Sequence, residues 1–287
     1  MPAQIAAAVP ALPALDIGFP EQVLIVTSAF CFKPIQMALS FLLVIALRRQ
    51  RARDLSLIRN GLLFLFLGEA FCAIDYYTAS WLSEPLDFLH GAGMVAMSAL
   101  LPFGLFTLLD DRVLHFSDED AACAVNRLCK RCWKREDVTC APHRLFFFVG
   151  PALAVLGLIP LTLPFDQSSL VYCVYGTRLS HHGNAWRQLL EFRIYPLVGA
   201  AALLATWIFL LQGRRGLAWA KRLFFAGFGF VTYSLFRFFL YRTFLPNPGW
   251  SGVWEETTEL LAVAGVGALL WVFRRPLGLI RPKPAEG

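Results

Sequence analysis

Ionisable side chains interrupt two stretches of the chain that are otherwise apolar. Lys33 lies in the middle of the first stretch, and Glu69, Cys72 and Asp75 lie in the second. At about 100° per residue, the last three fall within an arc of about 120° on one helix face. A charge in an apolar helix costs several kcal/mol unless it faces protein or a water-filled cavity, where it commonly serves a function. These residues are therefore the first candidates for a catalytic or binding site.

We expect Lys33 to form an ion pair with Glu69 or Asp75. A short connector makes the two helices antiparallel neighbours, and about 1.5 Å of rise per residue places all three side chains within roughly 6 Å of the bilayer centre. Pro34 removes one backbone hydrogen bond and should loosen the helix beside Lys33. The alternative is a buried ion pair that only fixes the register of the two helices.

A second group of polar residues lies nearer the outer ends of the predicted spans. Its members are Asp87, His90, Glu191, Arg193, Arg237, Glu255, Glu256 and Glu259. We expect Arg237 to pair with Glu259. The clustering by depth predicts a polar cavity open to the outside, with Lys33 and Glu69 at its floor. The proposed catalytic residues are Lys33, Glu69, Asp75, His90, Arg237 and Glu259.

Two further hypotheses concern histidine and cysteine in this region. His90 could meet His181 and His182 of an outer loop and, with a carboxylate, form a metal site that activates water. The alternative is one helix-capping histidine and two solvated ones. Cys31 and Cys72 lie at similar depths, and either form a redox pair or are two apolar thiols.

A cysteine-rich segment occupies the longest connector, 110–144. Its motif is C-x5-C-x2-C-x7-C, formed by Cys123, Cys129, Cys132 and Cys140. Four thiolates suit zinc or an iron-sulfur cluster, and nearby Lys and Arg side chains would offset their charge. A reducing cytoplasm argues against disulfides. The cofactor is therefore zinc or an iron-sulfur cluster, unless the cysteines are unligated.

The elements that must position these residues are membrane helices. The 287-residue chain is 57% hydrophobic and only 16% charged, and a bilayer span needs about 20 apolar residues. Long unbroken apolar runs exclude a barrel. The sequence predicts an all-α bundle with seven transmembrane helices at 23–47, 61–82, 90–109, 145–164, 194–212, 223–241 and 257–273.

The distribution of basic residues sets the orientation. Four connectors on one side carry 20 Lys and Arg and those on the other side carry 4, which predicts N-out and C-in. The net charge of +6 is explained by topology, without nucleic acid. The predicted segments are an outer tail (1–22), helices 1–3 (23–109), a cytoplasmic cysteine loop (110–144), helices 4–7 (145–273) and a cytoplasmic tail (274–287).

Three functions agree with these features. The first is a membrane protein with an outward-facing polar cavity and a metal loop, which would be a redox protein if the loop holds an iron-sulfur cluster. The second is a metal-dependent hydrolase or transferase acting on a lipidic substrate. The third is a transporter or an assembly subunit without catalysis. The expected surroundings are a bacterial inner membrane, with membrane lipid, a small or lipidic ligand and other membrane subunits as partners.

Overall fold

The computed structural model describes mainly the helical part of the chain. The described residues are 14–15, 17–79, 84–114, 141–165, 169–182, 185–212, 216–244 and 248–274. The proposed zinc or iron-sulfur ligands Cys123, Cys129, Cys132 and Cys140 lie outside these residues. The cysteine loop therefore stays a prediction.

Seven long helices, α1 to α7, make up most of the described residues. They are α1 (Phe19–Thr27, Ser28–Phe32 and Lys33–Leu47), α2 (Arg53–Ala79), α3 (Glu84–Leu109), α4 (Ala141–Leu156), α5 (Ala185–Leu189, Leu190–Ile194 and Tyr195–Leu211), α6 (Leu217–Phe244) and α7 (Pro248–Val272). A π-helical turn, Asp110–Leu114, follows α3, and a 3-10 turn, Ile159–Thr162, follows α4.

Five segments are long and apolar enough to cross a membrane. They are Phe19–Leu47, Arg53–Tyr76, Pro85–Arg112, Arg187–Leu211 and Trp219–Thr243. Large apolar side chains such as Leu42, Leu204 and Leu261 are exposed on the helix surfaces, as lipid contact requires. The chain therefore has the make-up of an integral membrane protein.

Three helices begin well before the predicted spans. α2 begins at Arg53 instead of 61, α5 at Ala185 instead of 194, and α7 at Pro248 instead of 257. The prediction followed apolar runs, but a helix continues past the hydrocarbon wherever polar side chains find partners. As a result Arg187 and Glu255 lie inside helices.

Two π-helical turns precede prolines in the middle of the bundle. Ser28–Phe32 lies just before Pro34, and Leu190–Ile194 lies just before Pro196. Proline supplies no N–H to the preceding turn, and a π-turn accommodates the lost bond. The expected loosening of the first helix beside Lys33 is confirmed.

Six helices contribute to a common core. α1 packs between α2 and α7, α2 packs against α3, and α6 contacts both α3 and α7. α5 packs against α6, and α4 packs on α5. The core contains one buried side chain from each of the six, namely Leu47, Leu62, Met94, Tyr195, Tyr233 and Val263. Polar side chains that point inward from these helices must therefore meet one another.

α2 and α3 approach each other closely at a pair of glycines. A Cβ atom added to Gly93 would lie 2.8 Å from Gly68 Cα. That distance is too short for any side chain, so only glycine allows the two backbones to meet here. The close approach holds His90, one turn before Gly93, against the turn that carries Glu69.

A small sheet that the sequence did not predict packs beside the start of α1. β1 (Ala14–Leu15) is parallel to β2 (Ser169–Val174), which pairs with β3 (Thr177–His182) in an antiparallel hairpin. The hairpin turns at Tyr175 and Gly176, both with positive φ. The assignment of 1–22 as a tail and of 165–193 as a loop was therefore incomplete.

Candidate functional site

Lys33 lies at the centre of the buried polar residues. Its Nζ forms an ion pair with Glu69 of α2, and a second with Glu256 Oε1 of α7 at 2.7 Å. The Lys33 and Glu69 side chains are 14% and 1% exposed. The predicted pair of Lys33 and Glu69 is confirmed, and Glu256 is a partner that the sequence analysis did not assign.

Asp75 lies six residues after Glu69 on α2, about 9 Å further along the helix axis. Its side chain is buried, 3% exposed. Glu256, rather than Asp75, is the second carboxylate bound to Lys33. The role of Asp75 in the site stays a prediction.

Gln36 and Glu259 form a second polar contact between α1 and α7. Gln36 Nε2 donates a hydrogen bond to Glu259 Oε2 at 2.7 Å. Gln36 Oε1 is fully buried and has no hydrogen-bond partner among the described residues. Sequence analysis missed Gln36, although it lies one helical turn after Lys33, a spacing that places both on one face.

His90 projects from α3 toward Glu69. Its Nδ1 lies 3.0 Å from Gly68 O and 3.8 Å from Glu69 Oε1. Because a carbonyl oxygen can only accept, Nδ1 carries the hydrogen in this contact. The side chains of His181 and His182 lie outside the part of the chain that is described, so their proposed meeting with His90 stays a prediction.

Two groups of possible ligand atoms share Glu69. One contains Glu69, Cys72 and His90, and the other contains Glu69, Glu256 and Glu259. Within each group the carboxylate, thiol or ring atoms lie within 4.8 Å of one another. The first offers oxygen, sulfur and nitrogen, and the second offers oxygen alone.

Arg187 binds three carboxylates next to this site. It lies 3.1 Å from Glu191, 3.4 Å from Asp87 and 3.5 Å from Glu255. The sequence prediction placed Arg187 in a connector, because the apolar run of α5 starts only later. Its spacing of four residues before Glu191 could have identified the pair.

Arg237 of α6 binds two of the same carboxylates. Its Nε lies 3.1 Å from Glu191 Oε2, and its Nη1 pairs with Glu255. Tyr233, one turn earlier, donates to Glu191 at 3.1 Å. The predicted pair of Arg237 and Glu259 is therefore wrong, because Glu255, one turn closer to the start of α7, binds Arg237 instead.

Arg193 does not belong to this network. Its Nη2 donates to Leu163 O at 2.5 Å, and its guanidinium lies 4.7 Å from the Phe165 ring centre. It therefore ties α5 to the turn after α4.

A small pocket lies between α3 and α5 beside the arginine network. Its lining residues are Asp87, Phe88, Gly91, Arg187, Leu190, Glu191 and Tyr195. The lining combines apolar side chains with the charged side chains of Asp87, Arg187 and Glu191. The predicted outward-facing cavity stays a prediction.

Cys31 and Cys72 are both free thiols in different surroundings. Cys31 is exposed on the surface of α1, whereas Cys72 is partly buried beside Glu69. The described structure thus places Cys72, not Cys31, with the charged residues.

No family model matches the chain, and comparisons with curated proteins and with solved structures find no significant match. The functional argument therefore depends on the geometry of the site.

Among the described residues, the site contains more acidic than basic groups. Six of their carboxyl groups take part in its contacts, against three basic side chains, Lys33, Arg187 and Arg237. The carboxyl groups belong to Glu69, Asp87, Glu191, Glu255, Glu256 and Glu259. Uncompensated charge inside a membrane protein costs several kcal/mol, so such an excess favours the uptake of protons or of a cation.

Proposed function

We propose that the protein is an integral membrane carrier whose interior carboxyl groups exchange protons for a small cation. The observation that carries this proposal is the surplus of carboxyl groups around Lys33. Glu69, Glu256 and Glu259 offer ligand atoms within 4.8 Å of one another, with one lysine among them. Oxygen ligands suit hard cations, and a carboxyl group that loses its cation can take a proton instead.

The helix arrangement supports such an exchange. The three glutamates lie on two different helices, α2 and α7, and α1 connects them through Lys33 and Gln36. A small shift of α1 would change which carboxyl group Lys33 neutralises. The π-helical turn at Ser28–Phe32 gives α1 a place to bend next to Lys33.

The redox and hydrolase hypotheses have less support. The redox hypothesis depends on four cysteines outside the described residues, and the hydrolase hypothesis depends on the side chains of His181 and His182, also outside them. Both stay predictions that metal analysis of the purified protein can test.

We further propose seven membrane crossings with the N-terminus outside and the C-terminus in the cytoplasm. The excess of Lys and Arg in alternate connectors supports this orientation. It places the sheet and the arginine network on the outer side. A fluorescent protein fused after the last residue should fluoresce, and alkaline phosphatase inserted at the hairpin turn should be active. The reverse pattern would contradict the topology.

Proton exchange is testable in vesicles that contain the purified protein and a trapped pH dye. An inward gradient of sodium, potassium or choline chloride is imposed, with the same starting pH inside and outside the vesicles. We expect at least one of these cations to make the lumen alkaline faster than in protein-free vesicles. Glu256→Gln should abolish the response, because it removes an exchangeable proton and leaves a similar shape.

Glu21→Gln is the matched control for this experiment. Glu21 lies at the start of α1 and accepts a hydrogen bond from Trp250, outside the charged site. This variant should keep the natural rate. An equal response from natural protein, Glu256→Gln and empty vesicles for all three cations would refute proton exchange.

A further inference from the structure

Glu69, Cys72 and His90 combine three chemically different ligands in one place. Glu69 and Cys72 lie one helical turn apart on α2, and His90 reaches them from α3. A carboxylate oxygen, a thiol sulfur and an imidazole nitrogen together suit zinc and similar transition metals better than magnesium or calcium. Exposed acidic groups often lie close together without a metal, but here Glu69 and His90 are buried and Cys72 is partly buried.

The His90 ring is held beside Glu69. Its Nδ1 lies 3.0 Å from Gly68 O and 3.8 Å from Glu69 Oε1. While Nδ1 donates to the carbonyl, Nε2 keeps a free lone pair, and a turn of the ring would bring a nitrogen to a metal shared with Glu69. The glycine contact between α2 and α3 holds both partners in place.

The distances are compatible with zinc after a small contraction and a turn of the His90 ring. One ring nitrogen of His90, a carboxylate oxygen of Glu69 and the Cys72 sulfur lie within 4.8 Å of one another. Tetrahedral zinc with bonds of about 2.0–2.3 Å separates its ligands by about 3.3–3.8 Å. Glu69 is also bound to Lys33, but Lys33 has Glu256 at 2.7 Å as a second partner. Lys33 therefore keeps an ion pair when Glu69 binds a metal.

We infer that Glu69, Cys72 and His90 form a binding site for a transition-metal ion such as zinc. A divalent ion here would also offset part of the surplus of carboxyl groups. The inference stands apart from proton exchange, because binding is measured on detergent-solubilised protein without a gradient.

Cobalt(II) is the probe, because thiolate ligation gives it strong near-ultraviolet absorbance. The experiment uses the full-length chain with the four loop cysteines replaced, since these could also bind cobalt. The replacements are Cys123→Ser, Cys129→Ser, Cys132→Ser and Cys140→Ser. After treatment with a chelator, this protein should bind cobalt with the thiolate band, and zinc should remove the band.

Single substitutions in that background identify the ligands. Cys72→Ser should abolish the thiolate band, and His90→Gln should weaken cobalt binding by at least about tenfold. Cys31→Ser is the matched control, a cysteine on the neighbouring helix, and should leave the band unchanged. A band that survives Cys72→Ser, or the absence of any band in the folded background protein, would overturn the site.

If the variant without the four loop cysteines does not fold, the protein with its natural loop is used instead. It is treated with a chelator and reloaded with zinc, and the zinc content per chain is measured by elemental mass spectrometry. Cys72→Ser should lower the bound zinc by one ion per chain, and Cys31→Ser should not. Equal zinc content in Cys72→Ser and the natural protein would contradict the inference.

Discussion

The two ends of the helix bundle treat buried charge differently. At the end formed by the start of α2 and the end of α3, Arg112 binds Asp54 with two hydrogen bonds of 2.5 and 3.1 Å, and Lys221 pairs with Asp110. Asp54 and Asp110 thus each have a base of their own. At the other end, three bases are shared among six carboxyl groups of the described residues.

This difference in charge balance indicates different roles for the two ends. A balanced ion pair is complete and needs no further ion, so it can do little more than hold helices in register. A network with surplus carboxyl groups is incomplete until protons or a cation join it. We therefore assign a structural role to the end with Asp54 and Asp110, and a binding role to the end with Lys33.

The largest effect is expected from breaking the arginine network. Arg237→Leu removes one of the two arginines that bind both Glu191 and Glu255. The buried Glu191 and the partly buried Glu255 lose a shared counter-charge, which should lower the free energy of unfolding by about 3–5 kcal/mol. The measurement is denaturation of the purified protein in mixed micelles.

Arg242→Leu is the control for that prediction. Arg242 lies near the end of the same helix and is exposed, so its loss should change stability by no more than about 0.5 kcal/mol. Equal effects of the two substitutions would show that the network adds nothing to stability.

The structural end should respond to single and double substitutions in different ways. Lys221→Met leaves Asp110 buried without its lysine and should cost about 3 kcal/mol. Adding Asp110→Leu should restore the free energy of unfolding to within about 1 kcal/mol of the natural protein. The double variant should also keep proton exchange in vesicles; its loss would contradict a purely structural role.

The smallest effect on stability is expected at Gln36. Gln36→Leu removes the hydrogen bond to Glu259 but also the amide oxygen that lacks a partner, so stability should fall by only about 1–2 kcal/mol. Cation-driven proton exchange should fall much more, because Glu259 loses its neighbour. If the rate of proton exchange falls only as far as the loss of stability explains, Gln36 has a structural role alone.

Sequence patterns predicted much of the binding end but not its pairings. Lys33 and Glu69 were paired correctly because two antiparallel helices joined by a short connector bring equal depths together. The partner of Arg237 was assigned one turn wrong, because the tilt of α6 against α7 is not encoded in either helix alone. Counting residues from the midpoint of a predicted span therefore places a side chain to within about one helical turn and no better.

Other parts of the site had weaker sequence evidence. Gln36 carries no charge, so the search for ionisable residues passed over it. Arg187 was assigned to a connector, because hydropathy marks where lipid begins and not where a helix begins. The pairing of β1 with β2 was missed because the two strands are far apart in sequence and no local pattern joins them.

The sequence by itself determined that the chain enters a membrane and that its charges turn inward. The reason is that exposing a charged side chain to lipid costs free energy in each helix separately. The tertiary structure decided which charges meet. Helix rotation, tilt and the glycine contact between α2 and α3 set distances of a few ångströms, and those distances separate a closed ion pair from a site with room for one more ion.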